Sequence, residues 1–316
     1  MSEFGFCDAL RTGSLKEIRK FPKADLHNHI LMGGRRSAFN KFSGGKIIPF
    51  HSVKGDIQEL DQWIALVYRP FLLQNPDRFQ MALEAAFRQA KSDGVTELEA
   101  SIDSCYGATF HISPEKVIGA LQKAHTSIAS EINFRPELGL LRSRSVRSLM
   151  ALLGPYFHFN YFKTIDLYDD EMAQPIRNFR EIYRYAKSAG LRCKAHVGEF
   201  GDADSVKEAV MELELDEVQH GIAAAGSTRV MQWLADHKIV LNICPASNVR
   251  LKRVKSYKTH PIRILFDHGV KVTINTDDVL IFNKGISEQF LQLYQSGLFT
   301  ANELDIIRQN GIEKLH

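Results

Sequence analysis

Eight short runs rich in β-branched and apolar residues recur along the chain, separated by segments patterned for helices, and this alternation constrains the fold more than any other feature. The runs fall near residues 24–30, 95–102, 132–140, 161–167, 192–197, 217–222, 240–243 and 271–275. Strands joined through helical crossovers pair in parallel. Eight such units predict an α/β chain closed into a (β/α)8 TIM barrel. The 316 residues suit one barrel domain, 1–316, since this fold runs from about 200 to over 400 residues. Hydrophobic residues make up 44% and charged residues 24%, with no low-complexity tract, so the chain can fill such a core.

Between the first two runs lies a helical, lid-like insertion at 38–93, with a flexible turn expected at 43–45 and helices at 56–70 and 76–94. Pro76 and Asp77 start the second helix, Ala82, Ala86, Phe87 and Ala90 form its core stripe, and Gly94 ends it. Ser113 and Pro114 are an N-cap and first-turn pair, and His125, beside the apolar stripe that follows, reads as structural. Further helices are expected at 171–189, 205–213, 227–237, 261–268 and 288–296, and from Ala301. Arg142, Arg144, Arg147 and the basic stretch 251–258 read as solvated loop charges.

Charge and cysteines narrow the partners. Net charge is +3, and the pI of 8.6 falls short of the roughly 9 expected of nucleic-acid binders. Cys7, Cys105, Cys193 and Cys244 share no metal-site or disulfide spacing. The first twenty residues lack a signal-peptide core, and no segment reaches the ~18 apolar residues of a membrane span. A reduced, soluble, cytoplasmic protein with a small-molecule partner is expected, without a nucleic-acid polymer or a membrane. Oligomeric state stays open.

The residues that carry chemistry gather where the runs end. His27 and His29, two positions apart, point to one face of an extended chain. His196 closes the fifth run with Glu199 just beyond it, His220 lies in the sixth, and Asp277 and Asp278 follow the eighth. In a barrel the strand C-termini converge on one face, where active sites lie. Each residue has a blander reading alone: a strand-end histidine can be merely solvated, His220 a hydrogen-bonded core imidazole, Asp277 a helix cap. Together, three imidazoles and a carboxylate suit Zn²⁺ or a similar ion with a position left for water, the mark of a catalytic metal.

These motifs resemble the adenosine deaminase family of metal-dependent aminohydrolases over nearly the whole chain. PKADLHNH resembles the family's opening His-x-His strand, AHVGE its His-x-Gly-Glu motif, QHGI its His-Gly turn, CPASN its Cys-Pro-x-Ser-Asn element and NTDD its closing Asp-Asp. The resemblance implies one Zn²⁺ per chain on His27, His29, His196 and Asp277, with Glu199, His220 and Asp278 as catalytic groups and Ser247 and Asn248 in support. It implies hydrolysis of a 6-aminopurine nucleoside or nucleotide to the 6-oxopurine and ammonia. His220 would take a proton from water, Glu199, kept protonated by burial, would protonate N1, and Asp278 would share a hydrogen bond with N7.

Two stretches depart from the family pattern. Its second histidine is followed by Leu-Asp-Gly, whereas this chain reads HILMGGRR, with Leu31 in place of the carboxylate. Asp169 stands where the family has a glycine at the purine N3 edge. Loss of a carboxylate beside Gly33, Gly34, Arg35 and Arg36 predicts a phosphate cradle, and hence AMP or dAMP. Free adenine and a 5′-modified adenosine are the alternatives. A two-metal amidohydrolase needs a bridging lysine or glutamate at the end of the fourth strand, and Lys163 sits too early. A non-catalytic purine-binding protein would leave seven intact functional residues unexplained.

Overall fold

The computed structural model describes residues 4–43, 45 and 47–313. Eight strands, β1 (Lys23–Asp25), β2 (Val95–Asp103), β3 (Asn133–Leu141), β4 (Thr164–Tyr168), β5 (Arg192–Val197), β6 (Glu217–His220), β7 (Val240–Ile243) and β8 (Lys271–Ile274), pair in parallel in that order. They form a nearly closed (β/α)8 barrel with helices between them. The seam from β8 to β1 is joined by a parallel bridge between Asn28 and Asp277. Beside it the Leu26 N–H donates to Asn275 Oδ1 at 2.7 Å, and the Thr276 N–H to Asp25 Oδ1 at 3.0 Å. Each strand overlaps its expected run, but β4 starts only at Thr164, β6 ends at His220, and β1 stops at Asp25 and leaves both histidines in the turn beyond it.

The strands bury both faces, but not with the same residues. Along β2, Leu98, Ala100 and Ile102 alternate with Glu97, Glu99, Ser101 and Asp103, and all seven are buried. A strand covered on both sides needs no polar face for solvent. The polar set therefore serves the barrel interior. Lys194 on β5, fully buried, pairs there with Glu99 and, at 2.9 Å, with Glu137, and also donates to the Leu26 carbonyl at 2.9 Å. Charges at such depth survive only when paired and hydrogen-bonded.

Between β1 and β2 the chain forms helices Arg36–Ser43, Ile57–Trp63, Arg69–Leu73 and Asp77–Ser92. The helix expected at 56–70 is interrupted by a π-helical turn, Ile64–Tyr68, where the Tyr68 hydroxyl bonds the Leu31 carbonyl. Ala82, Ala86, Phe87 and Ala90 are buried as expected, and His125 Nε2 lies 2.8 Å from the Ile132 carbonyl oxygen. Of the turn expected at 43–45, Gly44 lies outside the described residues and Ser43 closes a helix.

Three readings need correction. Residues 171–175 are loop, and the helix there is Arg180–Ser188 after a 3₁₀ turn at Ile176–Phe179, because Glu171 is held by the next βα loop and Pro175 restricts the residue before it. A helix at Val146–His158 was not expected, although Ser145 caps it by accepting the Ser148 N–H at 3.3 Å. Arg142 is buried, its Nε donating to the Gln174 carbonyl at 3.0 Å, while Arg144 and Arg147 are exposed as expected. Among the described residues no helix is long and apolar enough to cross a membrane.

Candidate active site

Three imidazoles converge above the polar layer because each is held by its other nitrogen. His27 Nδ1 lies 3.2 Å from the Asn242 carbonyl oxygen, His29 Nδ1 2.8 Å from Ser101 Oγ, and His196 Nδ1 3.1 Å from Asp166 Oδ2. His27 thereby belongs to two overlapping groups of possible ligands, one with His196 and His220 and one with His29 and Asp277. His27 Nε2 is 2.9 Å from His196 Nε2, and Asp277 Oδ1 is 3.4 Å from His29 Nε2 and 3.8 Å from His27 Nε2. Donors bound at about 2.0–2.2 Å around one tetrahedral ion stand roughly 3–4 Å apart. These spacings are ones that donors around a single ion can have, so the cluster could hold a metal ion.

His220 Nε2 stands 3.2 Å from Glu199 Oε2 and 4.0 Å from Asp277 Oδ2. Asn248 donates to Glu199 Oε1 at 3.3 Å. Strict alternation along β6 would put His220 on the face of Val218, but its φ of 63° turns it inward. Asp277 and Asp169 share that left-handed conformation, with φ of 60° and 85°. A non-glycine residue there costs on the order of 1–3 kcal/mol, which the surrounding structure must offset.

The electrostatics follow from burial. Burial pushes the Glu199 carboxyl up to about 8, with Asp277 adding to the effect, and it raises Asp277 to about 6. Asp278, buried beside Asp277, is raised well above the carboxylate range. Burial and neighbouring imidazoles hold His27 and His220 well below their usual range and His29 at about 3. His196 is the exception: burial opposes its charge, yet Asp166 carries it up to about 9.

A cavity of about 450 Å³ opens over this cluster, reaching His29, His196, Glu199, His220, Asp277 and Asp278. Its outer wall comes from the insertion, with Leu60, Asp61, Ile64, Tyr68 and Arg69. Asp103, Asp169 and Asp170 line it from the strand ends. Burial, reinforced by Asp169 and Asp170, raises Asp61 to about 7. Asp169 Oδ2 accepts from the Ser143 N–H at 3.2 Å and from the Ser143 hydroxyl.

The glycine and arginine stretch lies elsewhere. Gly33, Gly34, Arg35 and Arg36 do not line the cavity. A Cβ on Gly33 would stand 2.9 Å from the Ala86 Cβ, and one on Gly34 2.7 Å from the Ala85 Cβ, so both glycines serve close packing on helix Asp77–Ser92. Arg35 pairs with Glu288 and donates from Nε to Gln89 at 3.0 Å. The expected phosphate cradle is therefore not part of this cavity. Conversely, Asp166, Ser101 and Asp61 gave no sign in the sequence beyond Asp166 and Ser101 being polar positions within strands.

The match to known proteins accords with this geometry. A family model described as adenosine deaminase matches residues 46–315. A Treponema pallidum protein, named as a provisional adenosine/adenine deaminase, is 34% identical over 91% of this chain and 96% of its own. An adenine deaminase of Rhodospirillum rubrum is 28% identical over 94% of this chain and 92% of its own. The crystal structure of an adenine deaminase from Arthrobacter aurescens superposes with a TM-score of 0.79 at 26% identity, covering 92% of this chain and 93% of that one. Sequence, barrel and site agree that the chain belongs to the adenosine deaminase family and is a hydrolase acting on an amidine C–N bond.

Proposed function

We propose that this chain deaminates free adenine hydrolytically to hypoxanthine, using one zinc ion held by His27, His29, His196 and Asp277. The observation that carries the reading is that two overlapping ligand groups, His27 with His196 and His220 and His27 with His29 and Asp277, lie against a cavity also lined by Glu199 and Asp278. Three nitrogens and one carboxylate oxygen suit zinc with a position left open. The ion, when bound, supplies Lewis acidity that brings the pKa of a water toward about 7. His220 orients the attacking water at C6 and takes its proton. Glu199, with its carboxyl near 8, is protonated at neutral pH and gives that proton to N1, which lets C6 accept the nucleophile. Asp278 Oδ1, buried without a partner, meets the purine N7 edge. Ammonia leaves, and the 6-oxopurine remains.

The cavity lining supports the free base over the nucleotide. Asp61, Asp103, Asp169 and Asp170 line it, against Arg69 as the one arginine or lysine among the lining residues. A phosphate dianion would be repelled. Asp169 takes the place of a family glycine at the N3 edge, and with Ser143 bonded to Oδ2 its other oxygen is left for a donor. Free adenine carries an imidazole N–H on that side, and a nucleoside does not. The names of the Rhodospirillum rubrum and Arthrobacter aurescens relatives point the same way. The test is ammonia release from adenine, adenosine and AMP by zinc-loaded protein: kcat/KM should be highest for adenine and lowest for AMP, and AMP equal to or better than adenine would refute the assignment.

A further inference from the structure

Glu171, in the loop after β4, is buried yet absent from the cavity lining. Its Oε1 accepts the Gly198 N–H at 2.6 Å, and its Oε2 accepts those of Glu199 at 3.2 Å, Phe200 at 2.8 Å and Gly201 at 3.1 Å. Four successive backbone donors thus close on one carboxylate, each bond strengthened by its charge. Among the described residues no backbone carbonyl takes the N–H groups of residues 199–201. Glycine is required at both ends of the segment: a Cβ on Gly201 would stand 2.6 Å from Glu171 Oε1, and one on Gly198 2.3 Å from Val206 Cγ2. The same segment leaves His196 at the end of β5 and delivers Glu199 to 3.2 Å from His220.

We propose that Glu171 is a positioning residue, clamping the backbone at 198–201 so that Glu199 is held at the atom it protonates; the inference rests on the deaminase reading above. A general acid acts only within hydrogen-bond reach of its target, and a displacement of about 1 Å costs on the order of a hundredfold in rate. In Glu171→Gln one acceptor oxygen is replaced by an NH₂ that faces donors, so the clamp loosens. Gly201→Ala disturbs the same contact from the other side. Both variants and their combination are measured as zinc-loaded full chains for kcat and KM on adenine, zinc content, and hydrogen exchange of the peptide spanning 197–202. Each single variant should lose roughly tenfold to a hundredfold in kcat with KM and zinc little changed. Exchange at 198–201 should accelerate, and the double variant should be no slower than the worse single one. Unchanged kcat in both, zinc lost in step with activity, losses that multiply, or unchanged exchange would each overturn the clamp. Should wild-type protein release no ammonia from any 6-aminopurine, the deaminase reading fails on its own. Exchange then still decides the clamp: faster exchange in Glu171→Gln upholds it, and unchanged exchange overturns it.

Discussion

Glu199 serves the proposed chemistry only while it carries its proton. With the carboxyl raised to about 8 by burial, the acid form dominates at neutral pH and is lost as pH rises through that value, so kcat should fall on the alkaline side. Glu199→Gln should lose about 10²- to 10⁴-fold in kcat while keeping its zinc, since the side chain is assigned proton transfer and not ligation; zinc analysis alongside ammonia release checks both halves. His260 makes a second titration prediction, for stability. Its Nδ1 accepts the Ile262 N–H at 3.1 Å and its Nε2 faces Asn248 Oδ1 at 3.3 Å, so the neutral ring is the folded form, and burial lowers its pKa to about 3. A depressed histidine contributes stability that is present above the unfolded value of about 6.5 and is lost as pH falls below it, roughly 2 kcal/mol between pH 7 and pH 5. Thermal melts at the two pH values should show a smaller acid loss in His260→Gln than in wild type, and equal losses would count against this role. The gathering of His27, His29, His196, His220, Glu199, Asp277 and Asp278 was legible because motif and strand-end position coincide. Asp166 and His260 were not, because their partners lie on other strands and loops.

At the scale of elements, the segment after His29 lies away from the cavity it was expected to serve. Gly33, Gly34, Arg35 and Arg36 read as an anion cradle on composition, yet the backbone there passes against helix Asp77–Ser92, and Arg35 reaches outward to Gln89 and to Glu288 of helix Ile286–Gln295. A short stretch of sequence does not tell which way a loop faces. Arg35→Ala should therefore cost about 1–2 kcal/mol of stability, through a half-buried charged hydrogen-bond network, and leave the ratio of kcat/KM for AMP and adenosine unchanged; a nucleotide-selective loss would restore the cradle. The misplaced helix start near 171 has the same origin. Local pattern supports helix at Glu171, but four N–H groups of the next loop compete for its carboxylate and win. The π-helical turn at Ile64–Tyr68 lies just before Pro70, and within it the Tyr68 hydroxyl bonds the Leu31 carbonyl.

For the molecule as a whole, eight βα units were readable because each is a local pattern repeated, and parallel pairing in order follows from crossover geometry. The interior was less readable. Glu99, Glu137 and Lys194 look like solvent-facing alternation until the barrel closes them on one another. Nor does sequence announce that His220, Asp277 and Asp169 adopt a left-handed backbone, which is what turns alternation at the strand ends into convergence. That convergence is the basis for assigning hydrolysis at a purine C6. The most direct measurement incubates zinc-loaded protein with adenine in water enriched in oxygen-18 and analyses the purine by mass spectrometry. Attack by water predicts hypoxanthine carrying the heavy oxygen, with ammonia released in equal amount; unchanged adenine, or hypoxanthine without the label, would contradict it.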